Sequence, residues 1–200
     1  MEQYLQSTRI IDYNTPIIKD KATILSDHMN SELDIVKSCF EFVRDSIKHS
    51  WDFKINIVTC NASDVLTHQT GFCYAKSHLL ASLLRANNIP TGFCYQRLSV
   101  GIEGPPFCLH GLNAVFLQKY GWLRIDARGN KPGVTASFNP PIEQLAFLPN
   151  SEDEITFPEI WPEPLPIVID ALNKFKTIEE LYMNLPDIEI IKLNTNDKNE

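Results

Sequence analysis

Residues 70–90 read TGFCYAKSHLLASLLRANNIP, a short turn that opens a helix with Cys73 in its first position. Leu79, Leu80, Leu83 and Leu84 recur at i, i+1, i+4 and i+5, which is one apolar face of a helix running to about Asn87. Asn87-Asn88 and then Pro90 stop it. A thiol in the first turn of a helix meets unpaired backbone N–H groups and the positive end of the macrodipole, and both favour its thiolate. The dipole helps modestly and an imidazolium within reach would do more, so the question is which histidine can reach Cys73.

His110 is the best placed. Residues 109–118 (LHGLNAVFLQ) alternate as a strand, and residues 122–127 (WLRIDA) read as its hairpin partner across the polar turn 118–121. The midpoint between His110 and Asp126 is position 118, inside or at the edge of that turn, so the two residues are expected near each other across the ladder and on one face. Sequence does not fix the register, and a shift or a bulge would move the pair. In such a pair the carboxylate accepts a hydrogen bond from the imidazole and holds its tautomer, while the other ring nitrogen faces the thiol.

On these residues the chain resembles the transglutaminase-like superfamily, whose core is similar to that of papain-like cysteine proteases. The resemblance runs from LDIVKSCFEFVRDSIK (33–48) through Ala62-Ser63-Asp64-Val65-Leu66 and Gly71-Phe72-Cys73 into SLLRANNIP (82–90). It ends with His110 and with Gly121-Trp122-Leu123-Arg124-Ile125-Asp126, and covers about residues 33–130. It implies an α+β fold of papain-like, transglutaminase-like type, a short member of bacterial character, with an N-terminal helix layer and the cysteine helix packed on an antiparallel sheet. It also implies Cys73 as nucleophile, His110 as general base and acid, and Asp126 as the group that orients His110. Three positions depart from the frequent family pattern and bear on substrate: Tyr74 follows the cysteine in place of tryptophan, Gly111-Leu112 follow His110 without an early aromatic, and Ala127-Arg128 replace proline-threonine after Asp126.

The reaction implied is cysteine-dependent acyl transfer or hydrolysis at an amide or peptide bond through a thioester: a protease, deamidase or transglutaminase acting on a peptide or protein. The alternative is a peptide-binding module that keeps the fold without the chemistry. The backbone N–H of Cys73 is a natural oxyanion donor; Asn56, Asn61, Gln69 and Trp51 are candidates by residue type for a second.

Composition sets the outer bounds. The chain has 200 residues with 44% apolar content, enough for one well-buried domain, and its net charge of −7 with scattered basic residues argues against a general nucleic-acid or anionic-membrane binder. No basic-then-apolar leader opens residues 1–6 and no long apolar run occurs, so a soluble cytoplasmic protein is expected. Five cysteines without CxxC spacing fit reduced thiols better than a disulfide framework.

A single domain is expected over residues 1–193, with a helical extension at about 165–186 and a frayed polar tail at 194–200. Residues 1–27 carry short β-prone runs, such as Arg9-Ile10-Ile11-Asp12-Tyr13, that could wrap the core or supply an edge strand. A helix opens near Ser31 and buries Leu33, Val36, Phe40, Val43 and Ile47. Residues 91–98 read as a strand, 99–106 as a Gly/Pro-rich loop bordering the site, and 149–166 as extended or irregular. Val168, Ala171, Leu172 and Phe175 then form a helical stripe, and Thr177-Ile178-Glu179-Glu180 opens a second short helix through Leu185.

Bland readings compete with each site residue. A lone cysteine is usually a small buried hydrophobe, and Cys39 and Cys94 read as core. His49 and His68 could neighbour the site but have no matching carboxylate, and His78 lies on another face of the Cys73 helix. Cys73, Cys94, Cys108 and His110 are nominal zinc ligands, yet none forms a C-x₂₋₄-C knuckle; no metal and no cofactor is expected.

Overall fold

The structure is a computed structural model that describes residues 1–101 and 104–189. Proline, whose fixed φ suits the first helical turn, starts α1 (Pro16–Ser26), which buries Ile18 and Ala22. Of the two expectations for residues 1–27, the edge strand does not form and the packing against the core does. The run at Arg9-Ile10-Ile11 forms bends that bury Ile10 and Ile11, and residues 16–26 pack as a helix, because burial of apolar side chains outweighs weak β propensity. Ser31 caps α2 (Glu32–Glu41) by accepting from the Asp34 N–H at 3.2 Å. The expected continuous helix to residue 48 instead passes into one π turn, Phe42–Ser46, and ends in extended backbone at Ile47.

The two-residue strand β1 (Lys48–His49) and the helical turn α3 (Ser50–Phe53) follow. Helix α4 (Ala62–His68) closes on Gln69 in the left-handed region and leads to β2 (Thr70–Gly71) and α5 (Cys73–Ala86). Strands β1 and β2 pair in parallel, His49 opposite Gly71, which ties the entrance of α5 to the end of the π turn.

Helix α5 was expected to show one apolar face, but every residue from Cys73 to Arg85 is buried. Helices α1, α2 and α4 pack against it, and so does the sheet. Several of its polar side chains are carried inside with partners: Arg85 donates to the Thr91, Gln6 and Pro162 carbonyls, and Ser77 to that of Tyr74.

The sheet comprises β3 (Thr91–Ser99), β4 (Phe107–Leu117), β5 (Gly121–Ile125) and, after the small hairpin β6 (Ser137–Asn139) and β7 (Ile142–Gln144), the short β8 (Ile155–Thr156). All neighbours are antiparallel in the order β5-β4-β3-β8. The hairpin pairs Leu117 with Gly121 and Asn113 with Ile125. Gly121 at φ +74° closes a turn centred on position 119, one residue beyond the expected 118, so continuing the register puts Asp126 opposite Leu112 and diagonal to His110. The two stay on one face because the offset is two residues.

Helices α6 (Pro166–Lys174) and α7 (Ile178–Tyr182) follow, and their apolar residues join the main core. The capping box of α7 forms between Thr177 and Glu180, but the helix ends at Tyr182, short of the expected Leu185. Residues 194–200, expected to fray, lie outside the described residues. Among the described residues no helix is long and apolar enough to cross a membrane.

Candidate active site

Cys73 stands at the first position of α5, 8% exposed, at the floor of a cleft of about 370 Å³. Two glycines allow the helix to sit where it does. A Cβ on Gly71 would lie 3.0 Å from the Ala75 Cβ and 3.1 Å from the Thr59 hydroxyl, and one on Gly111 would lie 2.9 Å from the Tyr74 ring and 3.3 Å from its Cα. Gly111 is therefore the reason α5 can press its first turn against β4. Tyr74 secures that contact by donating its buried hydroxyl to the Leu109 carbonyl.

His110 lies on β4 three positions from Asn113, the last residue that β5 pairs, so on that side no strand of the sheet pairs with it. Its Nε2 is 2.7 Å from Asp126 Oδ2, with both side chains buried. Nδ1 is the nitrogen left to face Cys73, whose sulfur is its hydrogen-bond partner. Burial disfavours the imidazolium, but the Asp126 carboxylate and the Cys73 sulfur outweigh it and hold His110 well above the usual histidine range. Burial also works against the Asp126 anion. The His110 ring and the N–H groups of Arg128 (3.1 Å) and Ala146 (3.2 Å) overcome it and hold the carboxyl below its ordinary value.

Of the three residues singled out from the sequence, Cys73 and His110 line one cleft, and Asp126 lies buried behind His110, bonded to its ring. Burial pushes the Cys39, Cys94 and Cys108 thiols up to about 12 and the Cys60 thiol up to about 11. Cys94 packs with Leu112 and Ala114 in a separate small cluster, away from the core that contains Cys73. Cys108 lines the cleft. The loop after β3 borders it through Ser99, Val100 and Gly101.

Among the residues around Cys73 and His110, His49 was named from the sequence as a possible neighbour, whereas Phe147, Arg128 and Lys131 were not legible there. His49 reaches the cleft because β1 pairs with β2, a long-range contact that leaves no local pattern. Burial, with Arg128, Lys76, His110 and Lys131 nearby, holds it far below the usual histidine range and therefore neutral. Phe147 sets its ring edge-on to His110 at 5.0 Å. Arg128 donates to Asp52 at 2.8 Å, and Lys131 reaches the same carboxylate at 2.7 Å. Of the candidate second oxyanion donors, Trp51 lines the cleft and stacks on Tyr182 at 3.7 Å. Asn56 accepts from the Ile178 N–H, Asn61 occupies the residue before α4 without a side-chain capping bond, and Gln69 ends that helix; none of these lines the cleft.

A helix-borne cysteine, a strand-borne histidine and an aspartate just past the end of β5 are the set the sequence resemblance implied, and the family model of the transglutaminase-like superfamily matches residues 21–127. The chain belongs to the transglutaminase-like superfamily. Among solved structures, this superfamily chain is similar to a "putative cysteine protease" from Cytophaga hutchinsonii, with 18% identity, a TM-score of 0.51, and coverage of 62% of this chain and 40% of that one. The periplasmic domain of TgpA from Pseudomonas aeruginosa follows with 18% identity, a TM-score of 0.46 and coverage of 62% and 46%. A red sea bream transglutaminase has 10% identity, a TM-score of 0.43 and coverage of 62% and 27%. The chain thus spans less than half the length of each of these structures. No curated protein matches it.

Proposed function

We propose that the protein is a cysteine-dependent enzyme of amide bonds, in which Cys73 is the nucleophile, His110 its base and acid, and Asp126 the orienter of His110. The supporting observation is the His110 ring, held at 2.7 Å by Asp126 on one nitrogen and raised in basicity with Cys73 on its other side. His110 takes the thiol proton, and the thiolate attacks the carbonyl carbon of a peptide bond or glutamine side chain. The carbonyl electron pair moves to oxygen, where the Cys73 N–H and the neutral His49 ring in the same cleft are the donors at hand. Collapse expels the nitrogen, which takes the proton from His110, and leaves a thioester on Cys73. Water or an amine then gives its proton to His110 as it attacks the thioester, and the acyl group departs with the thiol restored.

Peptides and proteins are the substrates on this reading, and five free thiols fit a reducing compartment such as the cytoplasm. The deciding experiment incubates the purified protein with glutamine peptides, with and without a primary amine, and follows ammonia release and peptide mass. Ammonia with amine incorporation identifies a transglutaminase, ammonia alone a deamidase, and backbone cleavage a protease. Complete silence with a labelled, accessible Cys73 would instead support a binding module.

A further inference from the structure

Beyond the end of β5, the edge of β4 beside His110 is covered by the chain's own C-terminal segment. The Leu109 N–H donates to the Pro186 carbonyl at 2.7 Å. Leu185 lines the cleft together with Cys73 and His110. Asp187 is held by Arg97 through two parallel bonds, Nε to Oδ1 at 2.8 Å and Nη2 to Oδ2 at 2.7 Å. Arg97 is itself fixed, since Nη1 donates to the Asp153 carbonyl at 2.9 Å and the guanidinium lies 4.0 Å from the Phe107 ring centroid.

An open strand edge offers backbone hydrogen bonds to any extended chain, and side-chain pockets beside it supply selectivity. A fixed guanidinium adds planar, two-pronged recognition of a carboxylate. Residues 185–187 use each of these features: a side chain in the cleft, a carbonyl on the edge, and a carboxylate on Arg97.

We propose that this edge is a peptide-binding site, that Leu185-Pro186-Asp187 fills it from within, and that the incoming substrate is an extended peptide whose own carboxylate side chain replaces Asp187 on Arg97. That such a peptide is a substrate rests on the acyl-transfer reading above; its binding does not. The segment is an internal competitor, present at high effective concentration because it is tethered. Peptides lacking an acidic residue at that position displace it poorly.

The test uses full-length chains carrying Cys73→Ala, so that its outcome is independent of any thiol chemistry. A fluorescent peptide with the sequence of residues 184–189, Asn-Leu-Pro-Asp-Ile-Glu, is titrated by anisotropy into this parent and into the same chain with Asp187→Ala or Leu185→Asp. Asp187 keeps 26% side-chain exposure, so its loss leaves the fold in place, which circular dichroism checks. Binding to either vacated variant at least about tenfold tighter than to the parent, lost again with Arg97→Gln or with Asn for Asp in the peptide, upholds the site. Equal or absent binding in the parent and in both folded variants, or binding indifferent to Arg97→Gln, overturns it.

Discussion

Asp126 and His110 share a hydrogen bond of 2.7 Å although they are not directly opposed: the register that pairs Asn113 with Ile125 sets Asp126 diagonally from His110 on the same face of the hairpin. The diagonal leaves His110 beyond the end of β5 while Asp126 stays covered at 1% exposure, held by the Arg128 and Ala146 amides. Replacing the carboxylate by an amide keeps shape and removes the charge that balances an imidazolium. Asp126→Asn should remain folded and lose up to about 10⁴ in kcat/KM. A folded variant with a rate within about tenfold of wild type would take Asp126 out of the mechanism.

Limiting iodoacetamide near neutral pH should label Cys73 first. Cys39, Cys60, Cys94 and Cys108 are held as thiols by burial, up to about 11 or 12, whereas Cys73 opens onto the cleft beside a basic imidazole. Peptide mapping of the alkylated protein checks this, and equal labelling of all five cysteines would contradict an activated Cys73.

Gly111→Ala tests the seating of α5 on β4. The added methyl would meet the Tyr74 ring at 2.9 Å and its Cα at 3.3 Å, so the first turn of α5 must retreat and carry Cys73 from His110. A stability loss of about 1–3 kcal/mol is expected, with a fall in turnover larger than the stability change explains. Denaturant melts and kinetics on the same preparation measure both, and an active variant of normal stability would show that the close approach is dispensable.

His78 gives the fold a built-in acid sensitivity. Burial lowers it to about 4, against the opposing effect of its bond to the Cys60 carbonyl at 2.8 Å, and its Nε2 is buried without a partner. From an unfolded value near 6.5 down to about 4, the unfolded chain binds the proton that the folded chain refuses. Stability is therefore full above about 6.5 and falls with decreasing pH across that window, by up to about 1.4 kcal/mol per pH unit. Urea unfolding from pH 7 to 4 should show this slope, and His78→Gln, which retains an amide donor, should reduce it; an unchanged slope would assign the effect to other groups.

Much of this could be read locally. The leucine spacing after Cys73, the stop at Asn87-Asn88-Ile89-Pro90, the alternation around His110 and the capping box at Thr177 are short-range signals, and the corresponding elements are present. Of the two expectations for the N-terminal 27 residues the edge strand fails, because β-prone dipeptides count for little beside the burial of Ile10, Ile11, Ile18 and Ala22. The π turn was missed because the apolar spacing of 33–47 is as good for an unbroken helix.

The sequence by itself determined the chemistry-bearing types, their order, and the elements that carry them, because helix periodicity, strand alternation and chain stops act over a few residues. The tertiary structure alone decided which other groups enter the cleft. His49 comes in through a parallel bridge to Gly71, Phe147 and Arg128 through loops, and Leu185 through a segment clamped to Arg97. It also decided that Gly111, a departure in sequence, is a packing requirement of the cysteine helix. Those contacts join residues far apart in the chain, and their free energy comes from burial and pairing in the folded state, which no local pattern encodes.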